Sequence, residues 1–219
     1  MILILIIAFI ISQIIISWRN NKIIPPTGNI LIIDTETTGF PSNWNAKPDD
    51  TSVWPRIVTI AWIKIGPNGA IKNQNYKVIK TDGFSIPESA SNIHGITNAI
   101  ANTDGESLAE ILSILEEDLK DCNYIVAHNI EFDYPILLCE FKRLKIETKL
   151  KSLVQVCTMK LSTDYCKIQT SKGYKYPSLN ELNIKLFGTK IAGLHNSKLD
   201  AEICLKCFKE LFNLGVIKL

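Results

Sequence analysis

A short apolar run, Asn29–Ile33, ends in the acidic residues Asp34 and Glu36, and that ending limits what the chain can fold into. A five-residue run with no polar interruption after Asn29 predicts a buried strand. Such a strand has to deliver its carboxylates to the rim of a core. Two residues apart, Asp34 and Glu36 leave the same face. Two further acids stand far away in sequence, Asp133 in HNIEFD and Asp200 in HNSKLDA, and His195 opens the latter segment. Four carboxylates meeting in one pocket repel one another unless a pair of divalent metals neutralises them. A histidine beside such a pair can take a proton from a metal-held water, which is equipment for hydrolysing a phosphodiester.

The 219 residues allow one substantial α/β domain with a full hydrophobic core. The net charge of +2 is near neutral, and Lys142, Lys145, Lys149 and Lys151 are interspersed with acids. A protein coating duplex non-specifically carries more positive charge, whereas a cleft holding only a strand end does not need it.

From Met1 to Trp18 the only polar residues are Ser12, Gln13 and Ser17. As a helix, this stretch would span about 27 Å, enough for a bilayer core. No small-residue cleavage site follows, and Arg19 and Lys22 come directly after it. The reading favoured is an uncleaved anchor over 1–18 that keeps the rest of the chain on the cytoplasmic side. A signal peptide, or a buried strand and helix, is the alternative. Residues 19–28, with Pro25, Pro26 and Gly28, form a linker, and 29–215 the domain.

The six cysteines have no disulfide-framework spacing. Cys204 and Cys207 make a lone CxxC without a second pair, and packed, reduced thiols on a helix are expected there.

Along the domain the pattern alternates strand and helix. Residues 57–65 and 70–80 are β-rich and flank Gly66-Pro67-Asn68-Gly69, a hairpin signal. Leu108, Ile111, Leu112, Leu115 and Leu119 recur at helical spacing. Residues 124–127 and 153–156 read as strands. Helices are expected near 131–145, 178–187 and 197–214, with Pro135 tolerated in a first turn. Residues 41–56 form an inserted loop. A second D-x-E pair, Asp104 and Glu106, precedes the amphipathic helix, where Thr103 and Glu106 fit a capping box.

Singly, each site residue has an ordinary explanation. Asn129 could cap a helix, His128 and Phe132 could be core, and Asp200 could complement a helix dipole. Together and in order, at strand and helix ends, they point to one cleft. The turn at Thr38-Gly39 would let a ligand approach the backbone.

DTETTGF, HNIEFD and HNSKLDA resemble, in the expected order, the three exonuclease motifs of the DEDDh (DnaQ-like) 3′→5′ exonucleases. The resemblance covers roughly 30–214, and the H-x4-D ending selects the histidine branch. Residues 93–97 (IHGIT) also resemble a family segment lining the pocket for the 3′ nucleotide. Two departures are Ser197, where alanine is common, which is expected to matter little, and the missing aspartate before Cys157-Thr158-Met159, which is not one of the four ligands.

The resemblance implies an α/β RNase-H-like exonuclease fold, a mixed sheet of about five strands flanked by helices, and the apolar run adds the N-terminal hydrophobic helix ahead of it. It implies two Mg²⁺ or Mn²⁺ ions. Asp34 would bridge them, Glu36 and Asp200 would complete the first, and Asp133 would hold the second through water. His195 would be the general base. Thr37, Phe40 and Ile96 would contact the terminal nucleotide, with Phe40 as a wedge between the last two bases, and Asn129 and Phe132 would help hold it. The implied partner is the 3′ end of single-stranded DNA or RNA, with DNA slightly favoured. The rival reading is an inactive exonuclease-like domain that serves as a membrane-anchored binding module.

Overall fold

The computed structural model describes residues 26–219. The expected anchor over 1–18 lies outside them; among the described residues, no helix is long and apolar enough to cross a membrane.

The central sheet has the strand order β3-β2-β1-β4-β5. Its strands are β1 (Asn29–Thr37), β2 (Ile57–Ile65), β3 (Ile71–Val78), β4 (Cys122–Ala127) and β5 (Val154–Cys157). The first three form an antiparallel meander, and β4 and β5 run parallel to β1. Strand β1 is therefore central, and its side chains alternate between two cores. Leu31 and Ile33 enter one core, with helices α3 (Leu108–Leu119) and α4 (Ile130–Arg143). Ile30 and Ile32 enter the other, with α7 (Leu179–Phe187) and α8 (Ser197–Asn213). The hairpin forms where expected: Gly69 takes a φ of +77° and its N–H donates to the Gly66 carbonyl.

Short elements complete the chain. Helices α1 (Glu88–His94) and α2 (Asn98–Asp104) follow β3. A 3₁₀ turn (Lys149–Ser152), α5 (Thr158–Leu161), α6 (Thr163–Cys166) and the two-residue strands β6 (Gln169–Thr170) and β7 (Gly173–Tyr174) lie between α4 and α7. All six cysteines are buried and free; Cys204 and Cys207 pack in the α8 core.

Two local expectations are corrected. Thr103 and Asp104 lie in the last turn of α2, and α3 is preceded by Ser107 without a side-chain cap. Glu106 is drawn away from capping because its backbone bridges to Ile79 and its carboxylate pairs with Lys77 at 2.8 Å. Helix α4 also starts one residue earlier than expected. Pro135 is thus its sixth residue, inside the helix, where its missing N–H leaves the Glu131 carbonyl without an i+4 donor.

The loop over 41–56 is bound to the back of α4. Glu140, fully buried, accepts from Arg56 Nε at 2.8 Å and from the Ile57 N–H at 3.1 Å. Arg143 Nη1 stands 3.2 Å from the same carboxylate, an ion-pair contact without hydrogen-bond geometry, while its Nη2 donates to the carbonyls of Thr51 and Trp54, both at 2.8 Å. Removing the Glu140 charge leaves two guanidinium groups facing a neutral side chain in the interior. Glu140→Gln is expected to lower the unfolding free energy by roughly 2–3 kcal/mol, measured by urea denaturation. An unchanged midpoint would show that the loop does not depend on this carboxylate.

Candidate active site

The two-face alternation of β1 dictates how the acids meet. Asp34 and Glu36 continue the Ile30–Ile32 face, toward α8, and Thr35 continues the Leu31–Ile33 face, toward α4. Accordingly Thr35 reaches α4: its N–H and hydroxyl both donate to Asp133 Oδ1, at 3.0 and 2.8 Å. Asp200 lies in the first turn of α8, beside Glu36. Its Oδ2 accepts the His195 N–H at 2.9 Å, and its buried Oδ1 has no hydrogen-bond partner. Glu36, His195 and Asp200 each offer a ligand atom, all within 4.8 Å of one another.

The electrostatics are those of crowded like charges in a poorly hydrated place. Burial, then Asp133, Asp200 and Glu36, pushes Asp34 well above the usual carboxylate range. Burial, then Asp200 and Asp133, pushes Glu36 up to about 8. Burial raises Asp133 to about 7 against the pull of its Thr35 hydrogen bonds. Burial also raises Asp200, opposed chiefly by the His195 N–H. Buried charges of this kind are kept only where something compensates them.

A cleft of about 670 Å³ opens above the acids, lined by Asp34, Glu36, Thr37, Phe40, His94, Phe132, His195 and Asp200, among others. Gly39 forms part of its rim with a φ of +146°, and a Cβ there would meet only open space. His195 itself has a φ of +71°, unusual for a residue with a Cβ, in the loop that follows Gly193.

The other residues singled out from the sequence divide. Thr37, Phe40 and Phe132 line the cleft. Ile96 does not; it packs on the small cluster of Val58, Ile86, Ala90 and Ala101, and Ile93 and His94 face the cleft instead. The α1 helix ends at Gly95 in a left-handed cap, which turns the chain between those residues. The His94 Nδ1 accepts the Ile96 N–H at 3.1 Å, and burial lowers its imidazole below the ordinary range. Asn129 precedes α4 with a φ of +87° and makes no side-chain cap, so the capping reading fails. His128 is structural: Nε2 donates to the Pro177 carbonyl and Nδ1 faces the Thr158 hydroxyl, both at 3.0 Å. Burial brings its imidazole down to about 4, which keeps it neutral.

One contact at the site leaves no signal in the sequence. Ser197 Oγ lies 2.8 Å from Thr59 Oγ1, both buried, and Thr59 is the β2 partner of Glu36. The serine thus fastens the start of α8, and with it Asp200, to the sheet. The departure from alanine has a structural role.

A sheet of this order, with carboxylates gathered at the end of its central strand, defines the RNase-H-like exonuclease class of α/β fold. The family model described as Exonuclease (RNase_T) matches residues 31–208, and the chain belongs to that family, among the DnaQ-like 3′→5′ exonucleases. DNA polymerase III subunit epsilon of Aquifex aeolicus is 27% identical over 194 residues, covering 86% of this chain and 85% of that protein. E. coli exonuclease I in complex with a dT13 oligonucleotide aligns with a TM-score of 0.67 at 17% identity over 84% of this chain. The alignment covers 41% of exonuclease I. Exonuclease X in complex with 5′ overhanging duplex DNA aligns with a TM-score of 0.57 at 22% identity, over 85% of this chain and 93% of that one.

Proposed function

We propose that this domain removes nucleoside monophosphates from the 3′ ends of nucleic acids, using a pair of divalent cations held by Asp34, Glu36, Asp133 and Asp200. The observation that carries the reading is the meeting of these acids, with one buried oxygen of Asp200 lacking any partner. An all-oxygen donor set in a repulsive cluster suits Mg²⁺ or Mn²⁺. When bound, such cations supply charge neutralisation at the phosphate and activation of water.

The protein's own groups divide the remaining work. Asp34, with Glu36 and Asp200, would hold one cation, and the other would be held by Asp34 and Asp133. The Thr35 hydrogen bonds fix one Asp133 oxygen and leave the second available. His195 accepts the proton that the attacking water loses. Thr37, Phe40 and Phe132 position the terminal nucleotide in the cleft. DNA is slightly favoured over RNA, because the exonuclease I and exonuclease X structures that align with this domain hold DNA. Residues 1–18, on their apolar composition, tether the domain to the cytoplasmic face of a membrane; residues 1–219 should pellet with vesicles and residues 26–219 should not.

The decisive experiment is digestion of matched 5′-labelled DNA and RNA oligonucleotides in Mg²⁺. A one-nucleotide ladder and free mononucleotides, both abolished by EDTA, are expected. Internal fragments alone, or activity indifferent to EDTA, would refute the reading. His195→Ala should slow the chemical step about a hundredfold at neutral pH while leaving metal affinity nearly unchanged, read by single-turnover kinetics and metal titration. An unaltered rate would assign the proton transfer to another group.

A further inference from the structure

Beyond the cleft, Trp44 in the loop over 41–56 extends the aromatic lining that Phe40 and Phe132 begin. Phe40 is 74% exposed and Trp44 51% exposed, although their ring centroids lie 6.3 Å apart. Phe132 completes a triangle, at 6.2 Å from Phe40 and 5.9 Å from Trp44. Two large rings that cover one another so incompletely contribute little to the core, and each keeps a face open to solvent.

The surface is braced. Trp54, buried, meets Trp44 edge-on at 6.3 Å and an angle of 86°, and its indole N–H donates to the Lys47 carbonyl at 2.9 Å. Ser42 N–H donates to the Val53 carbonyl, closing the loop on itself, and Arg143 and Lys142 hold its far side from α4. Trp44 is therefore presented on a loop tied down at both ends and loses little freedom when something stacks on it.

Past Trp44 lies a second hollow of about 400 Å³, with Trp44, Pro48, Trp54, Tyr134, Pro135 and Gln155 in its wall. Its one acid, Glu131, is paired with Lys160. Phe40 and Phe132 thus belong to the catalytic cleft and Trp44 to the hollow, and the three rings form a continuous ridge between them. A ridge of flat faces leading away from a phosphodiester-cleaving site, without a row of cations, fits unpaired bases better than a phosphate backbone.

We propose that Trp44 is a specificity-determining residue, a stacking surface for an unpaired base upstream of the nucleotides held in the cleft, so that this enzyme selects single-stranded 3′ ends several nucleotides long. The inference deepens the exonuclease reading and rests on it. The recognised group is the base, so DNA and RNA strands should both use the ridge, while a blunt duplex should not.

The test compares a dinucleotide, which ends within the cleft, with a 12-nucleotide single strand. Trp44→Ala is expected to lower the ratio of kcat/KM for the 12-mer to that for the dinucleotide about tenfold, through KM. Trp44→Phe should restore most of it, and the blunt-duplex rate should move no more than the dinucleotide rate. An unchanged ratio, or an equal loss on duplex, would overturn the proposal. A binding arm separates this from failure of the exonuclease reading. In the Asp34→Asn protein, single strands should quench tryptophan fluorescence, and adding Trp44→Phe should remove that quenching. If wild type hydrolyses neither substrate, the catalytic reading falls, and the loss or persistence of that quenching still decides for or against stacking on Trp44.

Discussion

Asp34→Asn is expected to reduce nuclease activity by about a thousandfold or more in Mg²⁺, and at the same time to make the metal-free protein more stable at neutral pH. The two effects share a cause. Asp34 sits at the end of the central strand, where burial and three neighbouring carboxylates oppose its ionisation. An amide of the same shape relieves that opposition but cannot act as an anionic ligand. Measured in EDTA by urea denaturation, the gain should be on the order of 1–3 kcal/mol. A variant that lost activity and stability together would indicate that Asp34 is a structural acid, and the metal assignment would lose its main support.

The second large effect is a pH-dependent stability that divalent cations should cancel. Glu36 and Asp133 have their folded-state values raised, to about 8 and about 7. In the unfolded chain both return to roughly 4. A carboxyl group raised on folding contributes stability that is fully present below its unfolded value and is lost as pH climbs through the folded one. Metal-free protein should therefore weaken progressively between about pH 4 and pH 8. Saturating Mg²⁺ or Mn²⁺ binds the ionised cluster and should flatten that decline, so the stabilisation by metal grows with pH. Thermal melts across this range, with EDTA or metal, test the claim. A metal-free melting temperature that rose toward pH 8 would contradict it.

The sequence was most legible where one interaction dominates. The run before Asp34 is apolar because β1 is buried on both faces, and the glycine turn at 66–69 announced the β2–β3 hairpin. Helices α3 and α8 showed their periodicity because each lays one stripe on a core. Helices α1 and α2 escaped notice because each has seven residues and buries a single alanine, Ala90 or Ala101, too little to leave a pattern. The Thr103–Glu106 pairing failed because Glu106 had a stronger partner in Lys77, 29 positions away. The site divides in the same way. The acids and His195 stood out through their order along the chain. The contacts that seat them, Thr35 to Asp133 and Thr59 to Ser197, join residues 98 and 138 positions apart and could not be foreseen. The placement of Ile93 and His94 in the cleft, with Ile96 turned away, depends on a left-handed turn at Gly95.

Strand β1 has hydrogen-bonded neighbours on both sides, whereas β3 and β5 are edges. Amide protons along β1 should thus be among the slowest to exchange with solvent, opening only when most of the domain opens. Fraying at the sheet margins would leave Asp34 and Glu36 where they are. The acids occupy ground that partial unfolding reaches last, and a molecule that has shed its periphery still carries two of its four proposed metal-holding acids on an intact frame.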